Sequence, residues 1–389
     1  MKNIAFVIVK LFFWINSFII SWGMVGYGES LKVFKNKSKR PNRDYLYKPT
    51  VTVIIVAHNE EKVILDKLEN IINNDYPKDC IEYIIASDWS TDKTNQIVIE
   101  FISNHPEIEM TLLKSREHKG KTNAQNEAQK VARGKILVMS DANSMFKYNA
   151  ISELVASFSD NKIVYVTGRL NYINQNNETA ASESLYWERD LEQRLIESNI
   201  YTITAGNGAI YACRNSNYID FDPIDCHDSA MPYKYGSEGL RCIYNPDAIA
   251  YEKAGETNKD EFKRKVRMNR DIISSISKGI KVINPIGHAW FSYFYFGHRT
   301  CRYILWISHI IIYITCAMLI YNNVFYNIAF WSQTIFYLVA IFDLMKKPHI
   351  KIVNLIGYYT MTIVAQVVGA YNEITGKSKP IWDKAESTR

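Results

Sequence analysis

Three short polar segments each follow an apolar, β-branched run, and they hold the residue types that do chemistry. Ala57-His58-Asn59-Glu60-Glu61 follows Val51–Val56, Ser87-Asp88-Trp89-Ser90-Thr91 follows Ile81–Ala86, and Ser140-Asp141-Ala142-Asn143-Ser144 follows Ile136–Met139. Strand-to-helix turns offer free backbone N–H groups and short side chains to a polar ligand. His58, Asn59 and Glu60 suit that use, and Asn59 equally suits an N-cap for a helix starting at Glu60. Asp88 at a strand end can accept hydrogen bonds from a base or ribose. A plain turn capped by Ser90 or Thr91 explains the same residues. Asp141 and Asn143 present oxygens at i and i+2, which fits a hard divalent cation that keeps waters and bridges phosphates. Asp-x-Asn is also common in turns.

Two further segments carry charge suited to a reaction. Gly120-Lys121-Thr122 resembles the end of a P-loop, but that motif needs Gly five residues earlier and Ser115 stands there. Lys121 remains suited to a phosphate or diphosphate, or to a solvated helix start. No GxGxxG occurs. In Asp225-Cys226-His227-Asp228 a carboxylate suits general-base work. No partner Cys or His stands at metal-like spacing, and a surface turn is the plainer reading of the segment. Lys259–Asp271 holds six basic residues, Arg267 and Arg270 among them, with Phe262 and Val266 at helical spacing. It reads as an amphipathic helix near a membrane, suited to anionic headgroups or a diphosphate.

Elements must bring these residues together. The four runs Val51–Asn59, Ile81–Asp88, Lys135–Asn143 and Lys162–Gly168 read as strands, with helical patterns at Glu60–Asn74, Thr94–Asn104 and Thr122–Ala132 between them. Near-continuous apolar strands alternating with helices predict an α/β domain with a mostly parallel sheet. Ligands bind such sheets beyond the strands' carboxyl ends, where the three polar segments then cluster.

Composition sets the wider frame. The chain of 389 residues is 47% hydrophobic and 22% charged, which excludes a disordered or collagen-like chain. Lys and Arg number 46 against 40 Asp and Glu, a net charge of +6. Between Leu31 and Thr50 lie seven basic residues and one acid, so that stretch carries the whole excess. This distribution argues against nucleic acid as a partner. Six scattered cysteines without a CxxC pair resemble reduced intracellular thiols.

Leu11–Gly28, Tyr303–Tyr321, Val324–Phe342 and Ile352–Tyr371 are uncharged runs of about the length that crosses a bilayer. The first lacks a small-residue cleavage site, and its basic cluster follows rather than precedes it, so it reads as a span and not a signal peptide. The positive-inside rule then places Lys32–Lys48, and everything up to about residue 300, in the cytoplasm. The last run is re-entrant or interfacial if the rule also holds for Lys377, Lys379 and Lys384. Ile286–His298, short and aromatic, reads as an interfacial helix. Of the ionisable residues only His309 falls within the C-terminal runs, which counts against a transporter.

Taken in order, VTVIIVAHNEE, SDWSTDKT, GKTNAQNEA, ARGKILVMSDANS, GNGAIYACR and HDSAMPYK resemble the family 2 glycosyltransferases, the membrane-bound bacterial enzymes related to cellulose, hyaluronan and poly-N-acetylglucosamine synthases. The resemblance takes in the N-terminal span, the basic linker and the tail with Trp382 and Arg389. It implies a GT-A nucleotide-binding fold and an inverting transfer from a nucleotide sugar, usually a UDP-sugar, to a growing glycan. Transfer to a polyprenyl-phosphate carrier, or an inactive subunit of a polysaccharide-synthesis complex, are the alternatives. Asp88 resembles the nucleoside-contacting carboxylate, Lys121 the Gly-Lys lysine near the donor, and Asp141 the leading acid of the DxD motif that binds Mg²⁺ or Mn²⁺. Asp228 resembles the acid of the ED or DD motif, the catalytic base. His58, Asn59 and Glu60 fall on the donor side, and Asn207, Arg267 and Arg270 on the acceptor or diphosphate side.

The departures from the family pattern are specific. Asn143 stands where the DxD motif has its second acid, SDWS replaces the common DDGS, and Asn207 stands where an acid is frequent. The QxxRW motif of processive synthases is absent, with Arg267–Asp271 in its place.

The expected organisation is a transmembrane helix at 1–28, a basic cytoplasmic linker at 29–50, a GT-A domain at 51–280, an interfacial helix at 281–302, a transmembrane region at 303–372 and a tail at 373–389. The expected setting is the cytoplasmic membrane. The expected partners are the donor, a glycan or lipid-linked acceptor, membrane lipids and other polysaccharide-synthesis proteins.

Overall fold

The computed structural model describes residues 2–35, 39–173, 178–253, 258–283, 287–346 and 350–381. Trp382, Lys384 and Arg389 lie outside the described residues. The chain divides into two compact units. One comprises residues 1–33, 176–190 and 257–378, the other 34–175, 191–256 and 379–389.

The second unit holds one eight-stranded sheet. Its strands are β1 (Val51–Ala57), β2 (Ile81–Ser87), β3 (Met110–Lys114), β4 (Ile136–Asp141), β5 (Met145–Phe146), β6 (Ile163–Tyr172), β7 (Ile210–Arg214) and β8 (Arg241–Glu252). The order is β3-β2-β1-β4-β7-β6-β8-β5. The pairs β3/β2, β2/β1, β1/β4 and β6/β8 are parallel, whereas β4/β7, β7/β6 and β8/β5 are antiparallel. Four of seven pairings are thus parallel, and β7, inserted next to β4, makes the sheet mixed.

Burial on both faces explains why β1 is apolar at every position but Thr52, whose hydroxyl is paired with Glu82 and the Gly134 N–H. Val51, Val53, Ile55 and Ala57 join one core cluster, with Ile64, Leu68 and Leu154. Ile54 and Val56 join the other, with Ala124, Tyr211 and Met231. Both faces are covered by helices, so no residue of the strand can be polar without a partner. Each fully buried Ile or Val contributes about 1.5–3 kcal/mol of transfer free energy. The pairings Val56↔Asp141 and Ala57↔Ser87 bring the ends of β1, β2 and β4 to one edge.

The first helix starts four residues later than the sequence pattern suggests, the second begins where expected and the third one residue earlier. The first spans Ile64–Ile72 with Val63 at its N-cap, so Asn59 caps nothing there. The next two are Thr94–Asn104 and Lys121–Gln129. Asp225–Pro232 does not remain a surface turn. His227–Ser237 is a helix, with Asp228 in its first turn.

The first unit is helical. Helix Lys2–Ser21 continues through a π-helical turn, Trp22–Gly26, into Tyr27–Phe34. A second π-helical turn lies at Phe296–Thr300, where Gly297 leaves room for the Tyr27 ring. Three helices are long and apolar enough to cross a membrane: Ile4–Phe34, Val324–Lys346 and Lys351–Ile374. Tyr303–Tyr321 does not form one long helix. Leu305–Leu319 has 15 residues and meets Ala289–Tyr303 at 62°.

Helix Asn258–Met268 carries the basic segment and packs one face on Lys351–Ile374, where Lys265 lies 4.8 Å from the Tyr358 ring centre. Burial opposes the charge on Glu261, but Arg264 and Lys265 hold its carboxyl below the usual range. Arg267 is exposed at the helix end, and Arg270 is buried beyond it, its carbonyl accepting from Ser378 Oγ at 2.7 Å.

Candidate active site

Lys121, Asp141 and Asp228 converge on Gly208. The Lys121 ammonium forms an ion pair with the Asp141 carboxylate and donates to Gly208 O at 3.0 Å. A methyl group built on Gly208 stands 2.8 Å from Lys121 Nζ and 3.9 Å from both Asp141 Oδ2 and Asp228 Oδ2. Burial disfavours the lysine's charge, yet Asp141 and then Asp228 outweigh it and hold the pKa above the ordinary lysine value. The site therefore presents a fixed cation between two carboxylates.

Each group is held by a different local device. Asp141 ends β4. Lys121 opens its helix after Gly120, whose φ of +88° favours glycine. A Cβ at Gly120 would stand 2.5 Å from the carbonyl oxygen of Pro380, so the tail backbone passes against the turn. Asp228 is placed through Pro232, four residues on. Proline has no N–H, so the Asp228 carbonyl lacks its helical donor. Gly206 N–H supplies it instead, at 2.6 Å.

The Gly206–Gly208 turn is itself built by Asn207. Its Nδ2 donates to Gly168 O at 2.7 Å, and its Oδ1 accepts from the N–H groups of Ala209 and Ile210 at 3.2 and 3.1 Å. Gly168 lies at a register shift between β6 and β8. Bulges of this kind re-aim side chains next to sites. Asn207 thus shapes the turn with the atoms that acceptor or diphosphate binding would need.

A second group forms at the ends of β1 and β2. Asn59 and Trp89 have φ of 54° and 57°, the left-handed region. Asn59 Oδ1 accepts from Thr91 N at 2.7 Å and Asp92 N at 3.3 Å, locking the two turns together. Glu60 is buried, its N–H donating to Thr94 Oγ1 at 2.7 Å. Asp88 is buried, with Oδ2 accepting from Gly120 N at 3.0 Å and lying 3.0 Å from His118 Nδ1. His58 and His118 stack with centroids 4.7 Å apart. The structure therefore gathers His58, Asn59, Glu60 and Asp88 in one group and Lys121, Asp141 and Asp228 in another. Gly120-Lys121 joins the two. Arg267 and Arg270 belong to the other unit.

Residues 52–216 match the sequence profile described as Glycosyl transferase family 2. They form a family 2 glycosyltransferase domain. Two curated relatives are similar to the chain. The probable glycosyltransferase YdaM of Bacillus subtilis is 27% identical over 64% of this chain and 63% of its own length. The poly-beta-1,6-N-acetyl-D-glucosamine synthase of Staphylococcus epidermidis is 25% identical over 61% and 60%. The chain thus matches somewhat under two thirds of each relative. Among solved structures, the mannosyltransferase PcManGT from Pyrobaculum calidifontis, in complex with GDP-Man and Mn²⁺, superposes with a TM-score of 0.72 at 19% identity, over 95% of this chain and 99% of that one. The shared fold is GT-A.

In the glycosyltransferase domain the DxD position fits a hard divalent cation. Asp141 is partly exposed, and Asn143 donates through Nδ2 to Glu252 Oε1 at 2.6 Å, leaving its amide oxygen as the second hard donor. Trp89, at φ near +57°, holds a left-handed backbone conformation that glycine adopts most cheaply.

Sequence reasoning missed Lys67. This lysine of helix Ile64–Ile72 is fully buried. It donates to Ser140 Oγ at 2.8 Å and to the Ser144 carbonyl, so it holds both ends of the Asp141–Asn143 turn. Burial pushes its pKa down to about 7, against the pull of Asp141 and Glu252. The one available signal was a lysine on the apolar face of an amphipathic pattern, at the spacing of Ile64, Leu68 and Ile71. His227 was passed over as well. It is buried, its Nε2 lying 3.1 Å from Asn126 Oδ1, and burial followed by the Lys121 charge lowers its pKa to about 3.

Proposed function

We propose that the protein is a membrane-bound inverting glycosyltransferase. It moves a sugar from a nucleotide-sugar donor, a UDP-sugar by the family's habit, to a growing glycan at the cytoplasmic face. The observation that carries this reading is the convergence of Lys121, Asp141 and Asp228 on Gly208.

In this reading Asp228 takes the proton from the acceptor hydroxyl, a poor nucleophile until it is deprotonated. Direct attack from that side inverts the anomeric carbon. The departing diphosphate gains negative charge as the glycosidic bond breaks. Lys121, held charged by its neighbours, leans toward that charge. Mg²⁺ or Mn²⁺, held by Asp141 and Asn143, would neutralise the diphosphate when bound. Asp88, with His58, Asn59 and Glu60 around it, receives the nucleoside. Asn207 keeps the turn in place. The GDP-Man and Mn²⁺ in the archaeal mannosyltransferase support a nucleotide sugar and a divalent cation here.

Membrane residence is supported by three helices of sufficient length and apolarity, and by the basic excess after the first of them. Arg267 and Arg270 are read as meeting an anionic headgroup or lipid-linked acceptor.

The test is a donor screen with detergent-purified full chain, Mg²⁺ or Mn²⁺, and mass analysis of products. The expected result is metal-dependent transfer from one nucleotide sugar, lost in Asp228→Asn. No turnover with any donor, or turnover untouched by Asp228→Asn, overturns the reading.

A further inference from the structure

His58, Asp88 and His118 each offer one ligating atom, and these atoms lie within 4.8 Å of one another. All three stand away from the Asp141 turn in sequence, at the ends of β1, β2 and β3. Two imidazoles and one carboxylate form a donor set that suits zinc and its neighbours in the first transition series far better than Mg²⁺.

The hydrogen bonding prepares this set. His58 Nδ1 lies 2.5 Å from the Asp88 carbonyl oxygen, which can only accept, so Nδ1 carries the proton and Nε2 keeps its lone pair. A backbone carbonyl on the far nitrogen is the usual way a ligating histidine is oriented. Asp88 is 1% exposed, yet its Oδ1 has no hydrogen-bond partner among the described residues. A buried carboxylate oxygen left unpartnered is costly, and a cation offsets that cost. His118 Nδ1 already faces Oδ2 of the same carboxylate at 3.0 Å.

The geometry points to a second, transition-metal site formed by His58, Asp88 and His118, with zinc as its natural occupant. Zinc at about 2.0–2.2 Å from each donor needs donors roughly 3.4 Å apart, so the His58 and His118 rings must turn out of their stack, 4.7 Å between centroids, for both lone pairs to face the ion. Binding moves the His118 proton from Nδ1 to Nε2, freeing the ligating lone pair. Three protein ligands leave the fourth position to water or to a small ligand. The ion occupies the oxygen of Asp88 that the nucleoside would otherwise meet, so zinc and donor compete. That last consequence rests on the donor reading above, whereas the metal site does not.

The test is calorimetric titration of the purified full chain with Zn²⁺ under excess Mg²⁺, which keeps the oxygen-only site filled. One tight equivalent is expected. His118→Ala and His58→Ala, each with a melting temperature close to wild type, should weaken it by at least about tenfold, the loss that even an outer-shell partner produces. No tight Zn²⁺ equivalent in the wild type, or an undiminished one in both variants, overturns the site. Added UDP should weaken Zn²⁺ binding in the wild type. If Zn²⁺ binds as expected but UDP leaves it unmoved, the donor reading of Asp88 falls and the metal site stands.

Discussion

The ammonium of Lys121 rests on the carboxylate of Asp141, although the two come from a helix start and a strand end twenty positions apart. Neither segment needs the other for its own secondary structure, so the contact serves the site. Lys121→Met should keep the fold and lower kcat/KM by about 10²–10³, the loss typical of one preorganised charge-stabilising donor. Steady-state kinetics with the donor found in the screen measures it.

The same pair sets a pH window. The folded pKa of Lys121 is raised above its ordinary value of 10.5. Its stabilising contribution is therefore full below 10.5 and fades only as pH rises through the higher folded value. The melting-temperature gap between wild type and Lys121→Met should stay flat from neutral pH to about pH 9 and close only in strong alkali. A gap that closes near neutrality would contradict this.

Asp228 contributes through two separate atoms. Its carbonyl holds Gly206, and its carboxylate faces Gly208. Asp228→Asn spares the first and removes the second. Turnover should fall by about 10²–10⁴, while nucleotide binding measured by calorimetry stays within a factor of about two.

Gly208 and Gly134 should respond to alanine in opposite ways. At Gly208 the added methyl meets the tip of a flexible lysine at 2.8 Å, and at Gly134 it meets the backbone N of Thr52 at 2.3 Å. Gly208→Ala should lower the melting temperature by no more than Lys121→Met does and cut activity at least tenfold by displacing Lys121. Gly134→Ala should destabilise by roughly 1–3 kcal/mol through overpacking, and retain turnover where it is folded. Denaturant melts beside rate measurements separate the two.

His227 makes the domain acid-sensitive. It stays neutral in the fold, with a pKa near 3 against 6.5 for the free side chain. The unfolded chain binds the extra proton below pH 6.5, so stability falls as pH drops from there toward 3. At pH 5 the loss amounts to about 2 kcal/mol. His227→Gln should flatten the melting curve between pH 7 and 5.

Much of this was legible in the chain. β1, β2 and β4 are buried on both faces and so announce themselves as apolar runs, and β6 opens with one. The polar residues after β1, β2 and β4 could then be expected at one edge. β7 and β8 were less visible, because β7 has only five residues and Asn245 and Asp247 interrupt β8. The helix at His227–Ser237 was masked by Pro232, ordinarily a helix breaker, whose missing N–H is used here to tie Asp228 to Gly206. Asn207 acts through a backbone carbonyl and N–H groups that no side-chain pattern encodes, whereas Lys67 left one trace, a lysine on the apolar face of its helix. Trp89 illustrates the reverse case, where an odd residue in a familiar motif marks a left-handed turn.

The place of β7 beside β4 also bears on how the protein is made. Asp141, the last residue of β4, and Arg214, the last of β7, are 73 positions apart. At about 5–20 residues per second, a ribosome adds the second roughly 4–15 s after the first. Over that interval β4 has β1 on one side and nothing on the other. Its free edge is an apolar template of the kind that pairs with the wrong chain. A nascent-chain chaperone, or rapid membrane docking of the first helix, would be most valuable during those seconds.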